Sequence, residues 1–339
     1  MATEYVMTGQ SGQHKVTLGE LSARLGQIIV HNTDKSNENS LVPLLFNEIK
    51  TNTRSTSFAS LVNVDPFDPI GENGEVDHGS IIDGYDKTLE TIDWGEDFEI
   101  TQQLVDDDVT GQMIKLKRLG VENAYTSTRE RFAAALYGYG LKGGDGINVN
   151  AFRFGKRGQK LIKTTTGDGE NVFSAAHPLA VDPNKKQKNL FQLPFSAGNV
   201  GIVETAMQNF LADNGDELDI SPDTILIPNV SVIKDAAFAQ LGVNSPQAGR
   251  WNIRGVKQFN KIWNVDESTP LANIPWLMVS SNAIKLYSCA IWSVRQPLDI
   301  KYDEYAWRTV FQPRAVCGGV CIVAGNGWQH RSGVNTRRL

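Results

Sequence analysis

The chain has few cysteines, no surplus of positive charge and no long apolar run, and each shortage excludes a class of protein. Cys289, Cys317 and Cys321 are its only cysteines, which is no disulfide framework. Cys317 and Cys321 fall in the apolar run from Ala315 to Ala324, which reads as a strand. Four residues along a strand span about 13 Å, so these two cannot bridge each other. They read as small buried hydrophobes in a reducing compartment. One C-x-x-x-C pair with no histidine beside it is a poor metal site. The 33 Lys and Arg stand against 38 Asp and Glu, a net charge of −5, which speaks against a dedicated DNA-binding protein. No apolar run approaches the roughly 18 residues that span a bilayer, so no membrane partner is expected. Met1 to Val6 has neither the basic start nor the apolar core of a signal peptide, and a cytoplasmic chain is the expectation.

Catalytic signatures are missing too. Asp106-x-Asp108-x-Thr110-Gly111 begins like a calcium loop. That loop needs a carboxylate at its fifth position and Glu at its twelfth, where this chain has Thr110 and Lys117. Gly138 to Gly146 is glycine-rich, but it follows a helix pattern and lacks GK[ST]. His177 precedes Pro178, and the other histidines lie in unrelated contexts. There is no nucleophile elbow and no HExxH. No enzyme activity, cofactor or metal is expected.

What is present is an order of elements. Leu18, Leu21, Leu25 and Ile28/Ile29 recur at helical spacing behind Thr17. His31 to Ser40 is a loop by composition, and Leu41 to Ile49 is a short apolar piece. From about 55 to 103 the chain reads as extended, with irregular turns from Asp65 to Glu75. A segment this long with few core-forming residues is unusual inside a compact domain. Packing on another copy of the chain explains it. Phe58, Phe67, Tyr85 and Trp94 are then the candidate inter-subunit anchors, because aromatic side chains carry interfaces well.

Val109, Met113, Leu116, Leu119, Ala124, Phe132, Ala133 and Leu136 form a helical face over about 109 to 138. Thirty residues make a rod of about 45 Å. Asp106, Asp107 and Asp108 stand where carboxylates cap a helix start, and Gly138, Gly140, Gly143, Gly144 and Gly146 follow as its stop. Arg153, Lys156 and Arg157, with Lys160 and Lys163, form a basic cluster interleaved with Phe152 and Phe154. It reads as a solvated edge kept soluble by charge, as inter-subunit salt bridges, or as a sequence-independent DNA contact. Lys185, Lys186 and Lys188 form a second cluster. Helices are predicted over about 200–213 and 230–241, and a strand over 224–227. Ile274 to Val279 and Ile284 to Val294 read as strands, and Ile300 to Ala324 as one or two more.

The stretch Phe98-Glu99-Ile100-Thr101-Gln102-Gln103 before Asp106 to Asp108 begins an ordered set of motifs. Val172-Phe173-Ser174-Ala175-Ala176-His177-Pro178 and Pro222-Asp223-Thr224-Ile225-Leu226-Ile227-Pro228 follow. In this order they resemble the major capsid proteins of tailed phages with the Hong Kong 97-type fold, and within these the Mu-like major head subunits. The resemblance spans about residues 55 to 245. Asp106 departs from it, standing where an uncharged residue is expected.

The resemblance implies an α+β chain with five parts. Residues 1–54 would be the N-terminal arm and 55–103 the extended loop over a neighbour. Residues 104–175 would be the peripheral domain with its spine helix, 176–300 the axial domain, and 301–339 the return to the peripheral domain. It further implies pentamers and hexamers of the chain in an icosahedral head in the virion, around double-stranded DNA held by non-specific contact. Portal, scaffolding or decoration proteins are the other candidate partners. An encapsulin-like shell is the alternative of the same class, and a cytosolic α/β enzyme the alternative of a different one.

Overall fold

The computed structural model of the chain describes residues 18–37, 40–61, 83–108, 112–140, 147–148, 161–162, 164–212, 215, 217–218, 220–242, 245–305 and 308–321. The fold is mixed α+β. Helix α1 is Leu18–Asn37, α2 is Val42–Leu45, and strands β1 (Asn47–Lys50), β2 (Ser55–Leu61), β3 (Asp83–Glu90), β4 (Ile92–Gly95) and β5 (Phe98–Thr101) follow. Next come α3 (Gln102–Asp107), α4 (Gln112–Tyr139), and the short strands β6 (Ile147–Asn148), β7 (Leu161–Ile162), β8 (His177–Pro178) and β9 (Lys186–Gln187). Then come α5 (Ala197–Gln208), β10 (Thr224–Pro228), α6 (Ser231–Leu241), β11 (Asn252–Val256), α7 (Lys257–Trp263), β12 (Leu277–Val279), α8 (Ser281–Tyr287), β13 (Ala290–Tyr305) and β14 (Arg308–Cys321).

The main sheet is built on the long hairpin of β13 and β14, paired from Ala290↔Cys321 to Tyr305↔Arg308. Its register slips between Val294 and Asp299, where Pro297 has no N–H to give a ladder. β1 adds in parallel to β13, and β4 and β5 both pair with β14. A smaller sheet runs β11-β10-β12. All five β10 residues are buried, so its run reads apolar rather than alternating.

The largest core joins α2, the C-terminal half of α4 and the smaller sheet with its helices. Phe46, Phe132 and Trp292 meet edge to face there, with Tyr137 on Phe46. The Tyr137 hydroxyl donates to the Leu45 carbonyl at 2.6 Å. A second cluster packs Leu25 and Ile29 of α1 with Ile114, Ile100, Leu298 and Phe311.

Several sequence expectations change. α1 runs on to Asn37, through the stretch read as loop, because Asn32 Nδ2 donates to Glu122 Oε1 on α4 at 3.2 Å and Thr33 is buried. The inward face of the first half of α4 is Ile114, Val121 and Tyr125, whereas Met113 and Leu116 are 51% and 61% exposed. Gly138 is no stop signal. It lies inside α4, where a Cβ would come within 2.8 Å of Ile262 Cγ2, and Trp263 Nε1 donates to its carbonyl at 2.9 Å. Ile284 to Val294 is not one strand but α8 followed by the start of β13. Ser280 caps that helix, accepting from Ala283 N at 3.3 Å. The extended limb of 55–103 divides as well: β2 and β3 form their own sheet, while β4 and β5 belong to the main one.

Candidate functional site

β2 and β3 make an antiparallel hairpin, Ser55↔Glu90 to Leu61↔Asp83. Among the described residues it pairs with no other strand. A two-stranded ribbon is marginal alone, so its footing on the body decides where it points. One face of the hairpin rests on a small cluster, Phe58 and Leu89 against Ile49 and Ile291. The other support is polar. Lys87 Nζ donates to Thr165 Oγ1 at 2.8 Å and to the Thr166 carbonyl at 3.4 Å. The Tyr85 hydroxyl donates to the Leu179 carbonyl at 3.4 Å. At the open end, Thr91 N and Oγ1 both donate to the Arg54 carbonyl, at 3.0 and 3.2 Å.

Beneath the footing lies a turn braced by a buried pair. His177 Nδ1 sits 2.7 Å from Asp168 Oδ2, with side chains 0% and 5% exposed. Asp168 Oδ1 accepts from the Glu170 N–H at 3.0 Å and from the Thr166 hydroxyl. Thr166 Oγ1 also reaches the Glu170 carbonyl at 3.0 Å. Burial raises the Asp168 pKa. Hydrogen bonds from His177, Thr166 and the Glu170 N–H, with the charge of His177, outweigh it and hold the carboxyl below its ordinary range. Ser174 Oγ donates to Glu170 Oε2 at 3.0 Å rather than to the imidazole, so serine, histidine and aspartate do not form a nucleophilic relay. Among the described residues, no group of His, Cys, Asp and Glu could hold a metal ion. None of their helices is long and apolar enough to cross a membrane.

The sequence-predicted residues fall in different places. Phe58 and Tyr85 are on the hairpin and both touch their own chain. Trp94 is partly buried, its ring edge to face on Phe132 at 5.7 Å against the main core, because β4 is stitched to β14. Phe67, Arg153, Lys156 and Arg157 lie outside the described residues. Of the three acids, Asp108 caps α4, accepting from Gln112, Met113 and Ile114 N–H at 3.1, 2.8 and 3.1 Å. Asp106 and Asp107 do not. They end the separate helix α3, whose own cap is Thr101, accepting from Leu104 N at 3.2 Å. Asp108→Ala is therefore expected to lower stability by about 1–2 kcal/mol, and Asp106→Ala by less than about 0.5. Equal urea midpoints for the two would refute this division. Lys185, Lys186 and Lys188 are exposed around β9. The Asp168–His177 pair and the Lys87 tie escaped the sequence reading; the only signal was a Thr-Thr-Thr-Gly-Asp-Gly turn shortly before His-Pro.

Among the described residues, large apolar side chains are exposed on several helices: Met113 and Leu116 on α4, Ile202 on α5, Phe238 on α6 and Leu286 on α8, 51–68% exposed. They are spread over separate helices rather than gathered in one cleft.

No protein-family model matches the chain, and no curated protein matches it. It is similar to solved structures of shells. A virus-like particle from Pyrococcus furiosus aligns at 8% identity and a TM-score of 0.46, over 93% of this chain and 100% of that one. The procapsid of bacteriophage JBD30 aligns at 11% identity and a TM-score of 0.46, over 95% and 78%. The capsid of a native GTA particle aligns at 12% identity and a TM-score of 0.45, over 86% and 89%. Likenesses this distant leave the functional reading to the chain's own residues.

Proposed function

We propose that the chain is the major subunit of a self-assembling icosahedral shell, a phage-type head that encloses double-stranded DNA. The observation that carries this reading is the β2–β3 hairpin. It is held to its own body by a small apolar cluster and a few hydrogen bonds, and shares no backbone pairing with either large sheet among the described residues. An element so placed suits contact with a second copy better than completion of a core. The exposed apolar residues on α4, α5, α6 and α8 support the same reading, since a lattice subunit must meet neighbours on several sides. The ordered capsid-like motifs from Phe98 to Pro228 add to it.

In this reading the chain does mechanical work and no chemistry. Pentamers and hexamers close the lattice through many weak contacts, and the hairpin and the segment before α2 overlap neighbours. The Arg153, Lys156 and Arg157 cluster lies at subunit contacts, and DNA is held without sequence readout. Charge makes assembly depend on salt.

Electron microscopy with light scattering, across a range of salt, tests it. The expected result is closed shells tens of nanometres wide with nuclease-sensitive contents. Shells filled with protein instead would favour a cargo compartment. A stable particle of a few chains under every condition, with a ligand-induced melting shift, would overturn the shell reading in favour of an enzyme.

A further inference from the structure

We infer that the buried Asp168–His177 pair is a brace that sets the footing of the β2–β3 hairpin and lets go in acid. The pair joins two stretches of chain, the turn after Thr164 and strand β8. β3 places hydrogen bonds on both. Lys87 reaches Thr165 and Thr166, on the Asp168 side, and Tyr85 reaches Leu179, two residues beyond His177. The hairpin therefore stands on both ends of the brace. Thr166 couples them directly: its hydroxyl bonds Asp168 while its carbonyl accepts from Lys87. His177 Nε2 is buried with no hydrogen-bond partner among the described residues, so the ring's one polar tie is the one to Asp168. Removing the carboxylate's charge loosens both stretches at once.

The surrounding ionisable groups do not substitute for the pair. Glu170 takes the Ser174 hydroxyl. Lys87 is taken by Thr165 and Thr166, while Asp86 alternates to the other face of β3. Asp182 and Lys185 lie in the turn between β8 and β9, and Lys186 is exposed on β9 opposite Pro178. The sign is fixed by Asp168, whose folded pKa lies below its ordinary value. Its contribution is complete above the ordinary carboxylate pKa of about 4 and is lost as pH falls below that.

The brace stands apart from the shell reading. Hydrogen exchange on the full chain, kept dispersed by dilution and corrected for intrinsic rates, tests it between about pH 7 and pH 3. The β3 amides are expected to lose about tenfold in protection relative to β10 as pH falls below about 4. Asp168→Asn should show the loosened value already at neutral pH, with no further change in acid. Lys87→Met should loosen β3 at every pH and leave residues 164–173 with the wild-type profile. If β3 protection in the wild type follows β10 throughout, the brace is wrong. It is equally wrong if Asp168→Asn keeps the wild-type profile. If that variant does not fold, the wild-type series and Lys87→Met decide.

Discussion

Replacing residues 62–82 with Asn-Gly should leave a chain that folds but no longer closes shells. Leu61 and Asp83 face each other in the β2–β3 register, and a two-residue type I′ turn joins strands so placed. By loop-closure entropy, shortening this connection about tenfold favours the folded chain by about 2 kcal/mol, so the urea midpoint should not fall. Assembly should respond far more steeply. Loss of about 3 kcal/mol per contact weakens each association on the order of a hundredfold, and a closed shell repeats that loss at every subunit. Light scattering and microscopy on the shortened chain should show dispersed protein at concentrations where the full chain closes. Shells of normal size from the shortened chain would remove this segment from the contacts and leave α4, α5, α6 and α8 to carry them.

The parts of this architecture legible in the sequence are those where local pattern and tertiary burial agree. β10 reads as a strand because a short apolar run lies between Asp223 and Asn229, and it is buried throughout. α5 and α6 show their periodicity, and Ser196 marks the first by accepting from Asn199 N at 3.2 Å. Phase was harder than existence. On α4 the stripe through Met113 and Leu116 and the stripe through Ile114, Val121 and Tyr125 both repeat at threes and fours. Only the positions of α1 and the main sheet choose between them, and they choose the second. α8 was hidden for a similar reason. Ile284 to Val294 is apolar enough for a strand, and the Asp223 carboxylate that accepts from Ser281 N at 3.1 Å lies 58 residues away in sequence.

The candidate site was legible as a region and not as a mechanism. The spare extended segment around β2 and β3 stood out by what it lacked, a core of its own. The brace beneath it did not, because Asp168 and His177 are nine residues apart at no motif spacing, and only the folded turn makes them neighbours. Trp94 shows where residue type stops informing, because a large aromatic on an extended limb has the same appearance in sequence whether it serves a neighbour, its own core or both.

Trp292→Ala should be the most damaging of the single substitutions considered. The ring is 1% exposed and lies 5.4 Å from Phe46 and 5.3 Å from Phe132, both edge to face. The Arg129 guanidinium sits 5.5 Å over it and is paired with Glu48 on β1. One indole thus holds β13 to α2, α4 and β1. Truncating a buried Trp to Ala costs about 3–5 kcal/mol, a large part of a total stability of about 5–15. Trp292→Phe should stay within about 1.5 kcal/mol. It keeps an aromatic face for Arg129 and removes an Nε1–H that has no partner among the described residues, a buried donor that itself costs about 1–3. Urea unfolding followed by circular dichroism on dispersed protein measures both, because shell contacts would otherwise stabilise the folded chain by mass action. A loss below about 1 kcal/mol for Trp292→Ala would mean that this junction collapses easily around the gap. The main sheet and the helical core would then be two loosely joined bodies, and contacts made by the hairpin would not be transmitted rigidly to the rest of the subunit.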